Sequence, residues 1–142
     1  MTYTTQADLE TRYGTRELVR LTDRGEVATD QIDPAPVAAA IVDAAALIDG
    51  YLAKRYALPM ASVPPIIKGL TEVIAYYNLH GSTPDEKADK DHDRALKKLE
   101  DIKDGVIALP IAGVTPEPTG DTGAKLTDRE RPMTADSLKG FI

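Results

Sequence analysis

The stretch from Asp33 to Pro59 (DPAPVAAAIVDAAALIDGYLAKRYALP) constrains the fold more than any other part of the chain. Asp33 is a favourable N-cap residue, and Pro34 suits the first helical position because its missing N–H would have no partner there. A proline also disfavours the helical conformation of the residue before it, so Pro59 marks the far end. The sequence therefore predicts one long helix between Asp33 and Pro59.

At about 100° per residue, the apolar residues of this helix form two stripes on opposite sides. The bulky stripe consists of Val37, Ile41, Ala44, Ile48, Tyr51 and Leu52. The small stripe consists of Ala39, Val42, Ala46, Gly50 and Ala53. Bulky side chains suit a core shared with another helix of the same chain, whereas small ones let a helix approach closely. We therefore expect the small stripe to pack against a helix, either within the bundle or in a neighbouring subunit.

The length, cysteine content and net charge of the chain exclude several classes of protein. The 142 residues suffice for about one domain with its own core, and the absence of cysteine excludes disulfides and cysteine-ligated metals. The N-terminus lacks an apolar signal-peptide core, and no apolar run approaches the roughly 20 residues that span a bilayer. We therefore expect a soluble, unexported protein with no membrane partner. A net charge of −6 argues against binding nucleic acid, since Lys and Arg dominate such binding.

The rest of residues 1–109 also has helical patterning. Thr5 and Asp8 resemble a weakened capping box for a helix from Gln6 to Tyr13, which Gly14 ends. Thr15 can cap a second, short turn.

Two further helices follow the long one. Ser62 and the paired prolines precede a helix that runs to about His80 and ends at Gly81. Its predicted buried stripe is Ile66, Leu70, Val73 and Tyr77, with Ile67 and Ile74 beside it. The last, charged helix starts at Thr83 and Pro84 and ends at Gly105, with one face formed by Ala88, His92, Ala95, Leu96, Leu99, Ile102 and Val106. The sequence thus predicts an all-α core domain, a small bundle of about four helices.

Residues 110–142 differ from this core. They are rich in Pro, Gly and Thr and carry too little apolar surface to fold alone, which predicts an extended C-terminal arm. The arm ends in a short helical or apolar hook formed by Leu138, Phe141 and Ile142. Such an arm either grips a partner or folds back on its own core.

Candidate chemistry is weak. Asp89, Asp91, Asp93 and Glu100 match several positions of a calcium-binding EF-hand loop, but Arg94 occupies the position that requires glycine. A metal-dependent hydrolase using Asp89, Asp91 and His92 has no other support. Asp121-Thr122-Gly123 spells the aspartic-protease triplet but lacks the apolar strands that flank it in that family. We therefore predict a protein that is not an enzyme, with no catalytic residue, cofactor or metal.

Arg55 stands out because the helical wheel places it at the centre of the bulky stripe. A charge there must be paired or lie at an interface. Three interpretations remain open: the helix frays before Arg55 and the guanidinium reaches water over Leu52 and Tyr56, it pairs internally with Glu72, or it bonds to a neighbouring subunit.

Several segments in this order resemble a known family. They are YTTQADLETRYGTRELVRLTD, the helix containing DAAALIDGYLAKRYALP, then PPIIKGLTEVIAYYNLH, and a closing SLKGF. Together they cover nearly the whole chain and are similar to a Mu-like phage protein family grouped with head–tail connector, or neck adaptor, proteins.

The resemblance implies a structural subunit that assembles as a twelvefold ring beneath the portal, in the virion neck, after synthesis in the bacterial cytoplasm. It implies that the arm docks onto the portal protein through Arg129, Arg131, Leu138, Lys139, Gly140 and Phe141. The other ring face would receive the next neck or tail-completion protein, and double-stranded DNA would pass through without specific binding. Interface candidates are Ala39, Ala46, Gly50, Ala53 and Arg55, and lumen candidates are Asp89, Asp91 and Asp93.

The sequence also admits another class of function. A small helical regulatory or scaffold protein could bind a phage or host partner through the same C-terminal arm. The two hypotheses share a fold and differ in the stoichiometry of the complex.

Overall fold

The computed structural model describes residues 1–111 as five α-helices, with no strand in that part of the chain. The helices are α1 (Gln6–Tyr13), α2 (Thr15–Thr22), α3 (Pro34–Leu52), α4 (Pro65–Leu79) and α5 (Glu86–Lys103). The predicted all-α fold is confirmed. The predicted arm, residues 110–142, lies outside the described residues except for its first two.

The first two helices meet at a glycine. The capping box of α1 is complete, because Thr5 and Asp8 each satisfy the other's backbone N–H. Gly14, at φ 88°, ends α1 and also serves as the N-cap of α2. The second segment is therefore an eight-residue helix rather than a short turn capped by Thr15, which raises the helix count from about four to five.

α3 begins as predicted and ends early. The Asp33 carboxylate accepts a hydrogen bond from the Ala35 N–H at 2.9 Å, and Pro34 is the first helical residue. The helix ends at Leu52, however, and residues 53–59 form turns, so the predicted end at Pro59 was wrong. Pro59 disfavours a helical conformation only for Leu58, the residue before it. The chain leaves the helix earlier, and Tyr56 is then buried in the core.

The core lies between α3 and α4, which form the most extensive helix pair, with α5 packed against both. The bulky stripe of α3 is buried except for Tyr51, which is half-buried, as the sequence predicts. The predicted face of α4 needs correction, because Ile66, Val73 and Tyr77 are only half-buried. The buried face is instead formed by Ile67, Leu70, Thr71, Ile74, Ala75 and Leu79.

Beyond α5 the chain turns back to the core. Gly105 has φ 81°, and Val106, predicted to continue the apolar face of α5, is instead 76 % exposed because the helix has already ended. Leu109 and Ile111 are buried, and the Leu109 N–H donates to the Tyr56 hydroxyl at 3.2 Å. The described chain therefore ends near the C-terminal end of α3.

By length and composition alone, α3 could cross a membrane, contrary to the expectation from sequence. The helix has 19 residues, and its two acidic residues do not prevent it from passing this criterion. One side of it forms the centre of the protein core. Only 39 % of its most apolar stretch is buried, so residues 1–111 leave much of this apolar helix uncovered.

Acid should weaken the contact between α1 and α4. Asp8 bonds Lys68 at 2.7 Å, and this bond, followed by one from Thr5, lowers the pKa of the Asp8 carboxyl to about 2. Because the pKa of Asp8 is lower in the folded state, the Asp8–Lys68 pair contributes fully to the free energy of unfolding above pH ~4. This contribution disappears as the pH falls towards 2. We expect Asp8→Asn to unfold at lower urea than the wild type at pH 6, with the difference shrinking between pH 4 and 2. A difference that does not depend on pH would contradict this assignment.

Candidate interaction surface

One side of α3 is exposed and mostly apolar, with the exposed Asp43 as a charged residue within it. This surface, here named the α3 face, consists of Ala39, Val42, Ala46, Leu47, Gly50 and Ala53, all exposed. Val42 is 55 % and Leu47 38 % exposed, although both are large apolar residues. An added Cβ at Gly50 would meet no atom within 4 Å. The small stripe predicted from the sequence therefore lies on the surface of the subunit rather than within its bundle.

A shallow groove deepens the C-terminal half of the α3 face. Its lining residues are Ala46, Leu47, Gly50, Tyr51 and Lys103, and its volume is about 390 Å³. The Lys103 ammonium lies 6.0 Å from the centre of the Tyr51 ring, within the range of a cation–π contact. The groove is thus apolar along its floor and positively charged at one edge.

The N-terminal half of the α3 face borders a more polar cleft. Ala39 and Asp43 line it together with Arg24, Asp33 and Asn78, and its volume is also about 390 Å³. The Arg24 guanidinium donates to the Leu79 carbonyl and thereby holds the loop after α2 against the end of α4. Apolar surface continues along α3 between this cleft and the groove.

The exposed side of α5 offers a contrast. This helix contains as many basic as acidic residues, and it carries the ion pairs Lys90–Glu86 and Arg94–Asp91. Exposed charges of both signs are favourable in water, whereas uncovered Val42 and Leu47 are not. Of the two helices, α3 therefore presents the surface that a partner protein would cover.

The lumen candidates lie on this mixed-charge helix. Asp89 and Asp93 are exposed, and Asp91 is half-buried and bonded to Arg94 at 3.4 Å. A hydrogen bond to Asp89 raises the pKa of the Tyr77 hydroxyl. Within residues 1–111, the excess of acidic residues lies in residues 1–53, which contain nine acidic and four basic residues.

Neither histidine belongs to a cluster that could hold a metal. His92 stacks on Tyr77, with the ring centres 3.9 Å apart. His80 is buried at the end of α4, where its Nδ1 lies 2.9 Å from the Tyr76 carbonyl. Residues 1–111 contain no group of three His, Asp or Glu side chains placed to bind a metal ion. The segment compared with an EF-hand is a continuous helix there.

Arg55 lies outside the bulky stripe, because α3 ends three residues earlier. Its guanidinium packs against the backbone at Gly105, and its Nε is buried without a hydrogen-bond partner among the described residues. Glu72 does not pair with Arg55 but with Arg12 of α1, at 2.7 Å. The wheel misplaced Arg55 because it extended a helical period beyond the end of the helix.

A side chain at Gly105 should destabilise the fold. Its φ of 81° strains any L-residue, and an added Cβ would collide with the Arg55 guanidinium. We expect Gly105→Ala to lower the free energy of unfolding by about 1–2 kcal/mol, measured by urea denaturation. In an Arg55→Ala background the loss should shrink to the backbone strain alone. Gly69→Ala, within α4, is the control, since its Cβ would make only an ordinary contact of 3.6 Å with the Arg12 side chain of α1. This substitution should leave stability unchanged or raise it.

The predicted arm residues and the Asp121 triplet lie outside the described residues. Those arm residues are Arg129, Arg131, Leu138, Lys139, Gly140 and Phe141. Sequence reasoning also missed two members of the surface, Leu47 and Lys103. Leu47 falls between the two stripes on the wheel, and Lys103 reaches the groove from a different helix, so periodicity within α3 could not include them.

Comparison with known proteins agrees with the family resemblance. The family model described as Bacteriophage Mu, Gp36 matches residues 3–128. Gene product J of Escherichia phage Mu is 34% identical over 143 residues, covering 100% of both chains. Mu-like prophage FluMu protein gp36 of Haemophilus influenzae is 30% identical over 111 residues, covering 78% of this chain and 79% of that relative. The chain therefore belongs to the Bacteriophage Mu Gp36 family of phage proteins.

Proposed function

We propose that this protein is a structural head–tail connector subunit, which assembles as a ring beneath the portal and joins capsid to tail. The exposed α3 face is the observation that carries this proposal. Large uncovered apolar surfaces on a folded subunit mark places where another protein binds. Membership in a phage protein family supplies the setting in which such a partner is another component of the virion.

The composition of the α3 face suits contact between subunits. Gly50 and Ala46 allow the backbone of a neighbouring element to approach closely, and Leu47 and Val42 supply apolar area. A ring needs a heterologous contact, in which the α3 face of one subunit meets a different surface of the next. Repeating that contact twelve times would close the proposed dodecamer.

The C-terminal arm is proposed to anchor the ring. Its basic and apolar residues (Arg129, Arg131, Leu138, Lys139, Gly140 and Phe141) would contact portal subunits, and the opposite face of the ring would bind the next neck or tail-completion protein. This part of the proposal rests on the family resemblance and on the composition of the arm.

Net acidity supports a conduit for DNA. A negatively charged lumen repels phosphates and so prevents the binding that would stall a passing duplex. Asp89, Asp91 and Asp93 remain the proposed lumen residues from sequence. Residues 1–53, with nine acidic and four basic residues, are the more acidic part of the described chain.

The test is to mix the full-length protein with the portal protein of its phage and measure the complexes by native mass spectrometry and negative-stain electron microscopy. We expect rings bound to portal, and a Leu138→Ala/Phe141→Ala variant should lose portal binding. Val27→Ala is the matched control, because Val27 is 77 % exposed in the loop before α3. A stable complex of one subunit per partner, without rings, would instead favour a regulatory or scaffold protein.

A further inference from the structure

Two exposed residues of opposite charge lie on the same side of the chain as the α3 face. Asp43 lies within the face, between Ala39 and Leu47, and Lys54 follows its C-terminal end at Ala53. Within residues 1–111 neither side chain forms an ion pair. Ala53 keeps helical backbone angles (φ −55°, ψ −27°), which fix the Cα of Lys54 close to its helical position, about 16 Å along the axis and about 20° around it from the Cα of Asp43. Both residues therefore lie on the side of α3 that carries the α3 face.

We propose that free subunits pair through this surface as an antiparallel dimer, in which Asp43 of each copy lies opposite Lys54 of the other. A second copy of the chain is the occupant that the charges favour. Antiparallel packing forms two attractive contacts, one at each end. Parallel packing would place Asp43 against Asp43 and Lys54 against Lys54, which is repulsive at both ends.

The centre of this dimer coincides with the apolar groove. The two-fold axis falls midway between positions 43 and 54, and the exposed residues nearest to it are Ala46, Leu47 and Gly50. Gly50 and Ala46 of the two copies permit a short distance between the helix axes. Leu47 of each copy can then enter the groove lined by Gly50 and Tyr51 of the other. Charge and shape therefore select the same register.

The dimer goes beyond the proposed connector function and does not depend on it. A two-fold contact uses the same surface on both copies and closes on itself, so it cannot propagate a ring. It would be a form of the free protein that must separate before the α3 face can bind a different surface. One helix pair covers less than the ~800 Å² per partner of a typical stable interface, so the association should be weak and the dimer should form only at high protein concentration.

Sedimentation equilibrium of the full-length protein alone tests the proposal by a charge exchange. The wild-type mass should rise with concentration from the 15.3 kDa of one chain towards twice that value. Asp43→Lys and Lys54→Glu should each raise the dimer dissociation constant about tenfold, since each replaces two exposed ion pairs by repulsive contacts. An equimolar mixture of the two variants should dimerise as the wild type does, because both pairs are re-formed in the heterodimer.

The controls are Lys97→Glu and Glu100→Lys on the exposed side of α5, which should dimerise as the wild type does. Three results would overturn the proposal: a wild-type protein that stays monomeric at every concentration, single reversals without effect, or a mixture that fails to restore the dimer. If rings form on the portal but the free protein does not dimerise, the dimer proposal is wrong and the connector proposal is supported. If the free protein dimerises but no rings form on the portal, the connector proposal is wrong and the dimer proposal is supported.

Discussion

Replacing Gly50 with tryptophan should abolish assembly on the portal while leaving the subunit as stable as the wild type. A Cβ at Gly50 meets no atom within 4 Å, so the indole would project into solvent from the free subunit. Within a helix, tryptophan is more favourable than glycine by about 0.5 kcal/mol, so the free energy of unfolding should stay constant or rise slightly. In the assembly, the same indole would occupy the space that a neighbouring backbone needs. Urea denaturation and negative-stain microscopy with portal measure the two effects separately.

Two matched variants sharpen this prediction. Gly50→Ala adds only a methyl group, so it should keep assembly and raise stability by about 0.5–1 kcal/mol. Ile48→Ala removes a fully buried side chain on the opposite side of α3 and should lower the free energy of unfolding by about 2–5 kcal/mol. Where it remains folded, this variant should still assemble. Normal rings from Gly50→Trp would show that the α3 face is not the subunit interface.

The sequence predicted the beginnings of α1 and α3 because local chemistry determines them. Thr5 with Asp8, and Asp33 with Pro34, satisfy or remove the free N–H groups of a first turn without help from distant residues. The end of α3 depends instead on where Tyr56 packs, against a backbone N–H more than fifty positions away. No pattern within residues 33–59 contains that information.

The buried face of α4 was mispredicted for a related reason. Adjacent apolar residues, such as Ile66 with Ile67 and Val73 with Ile74, point about 100° apart around the helix. Two neighbouring faces of α4 are therefore both apolar, and periodicity alone cannot show which of them is buried. The buried face includes polar Thr71, whose burial is possible because its hydroxyl donates to the Ile67 carbonyl at 2.8 Å within the helix. A polar residue at the centre of a buried face is hidden from a count of apolar residues.

The candidate surface was predictable in part. Helical spacing identified Ala39, Ala46, Gly50 and Ala53 as one stripe, and only the arrangement of the other helices shows that nothing in residues 1–111 covers it. The groove needs Lys103 of α5 beside Tyr51 of α3, a juxtaposition that tertiary packing creates. The stripe is thus a property of one helix, whereas its exposure is a property of the bundle.

Removing Arg12 should destabilise the fold by about 2–3 kcal/mol. Glu72 is only 7 % exposed, and it accepts a hydrogen bond from the Arg12 guanidinium at 2.7 Å. In Arg12→Ala its remaining protein partner in the described chain is the Thr4 hydroxyl, at 3.5 Å. Breaking a fully buried pair costs about 3–5 kcal/mol, and we expect a smaller loss of about 2–3 kcal/mol because the Arg12 side chain is 42 % exposed. Urea denaturation at pH 7 measures the loss.

A double-mutant cycle identifies the unpaired carboxylate as the cause. Arg12→Ala/Glu72→Gln replaces the buried charge with a neutral amide of similar shape, which needs less compensation when the guanidinium is absent. The double variant should therefore be more stable than Arg12→Ala alone, even though it carries one substitution more. Equal stability of the two would mean that Arg12 acts through its packing on Tyr13, over whose ring its guanidinium carbon lies at 5.6 Å. The comparison thus separates the unpaired charge of Glu72 from the packing of Arg12 on Tyr13 as the cause of the lost stability.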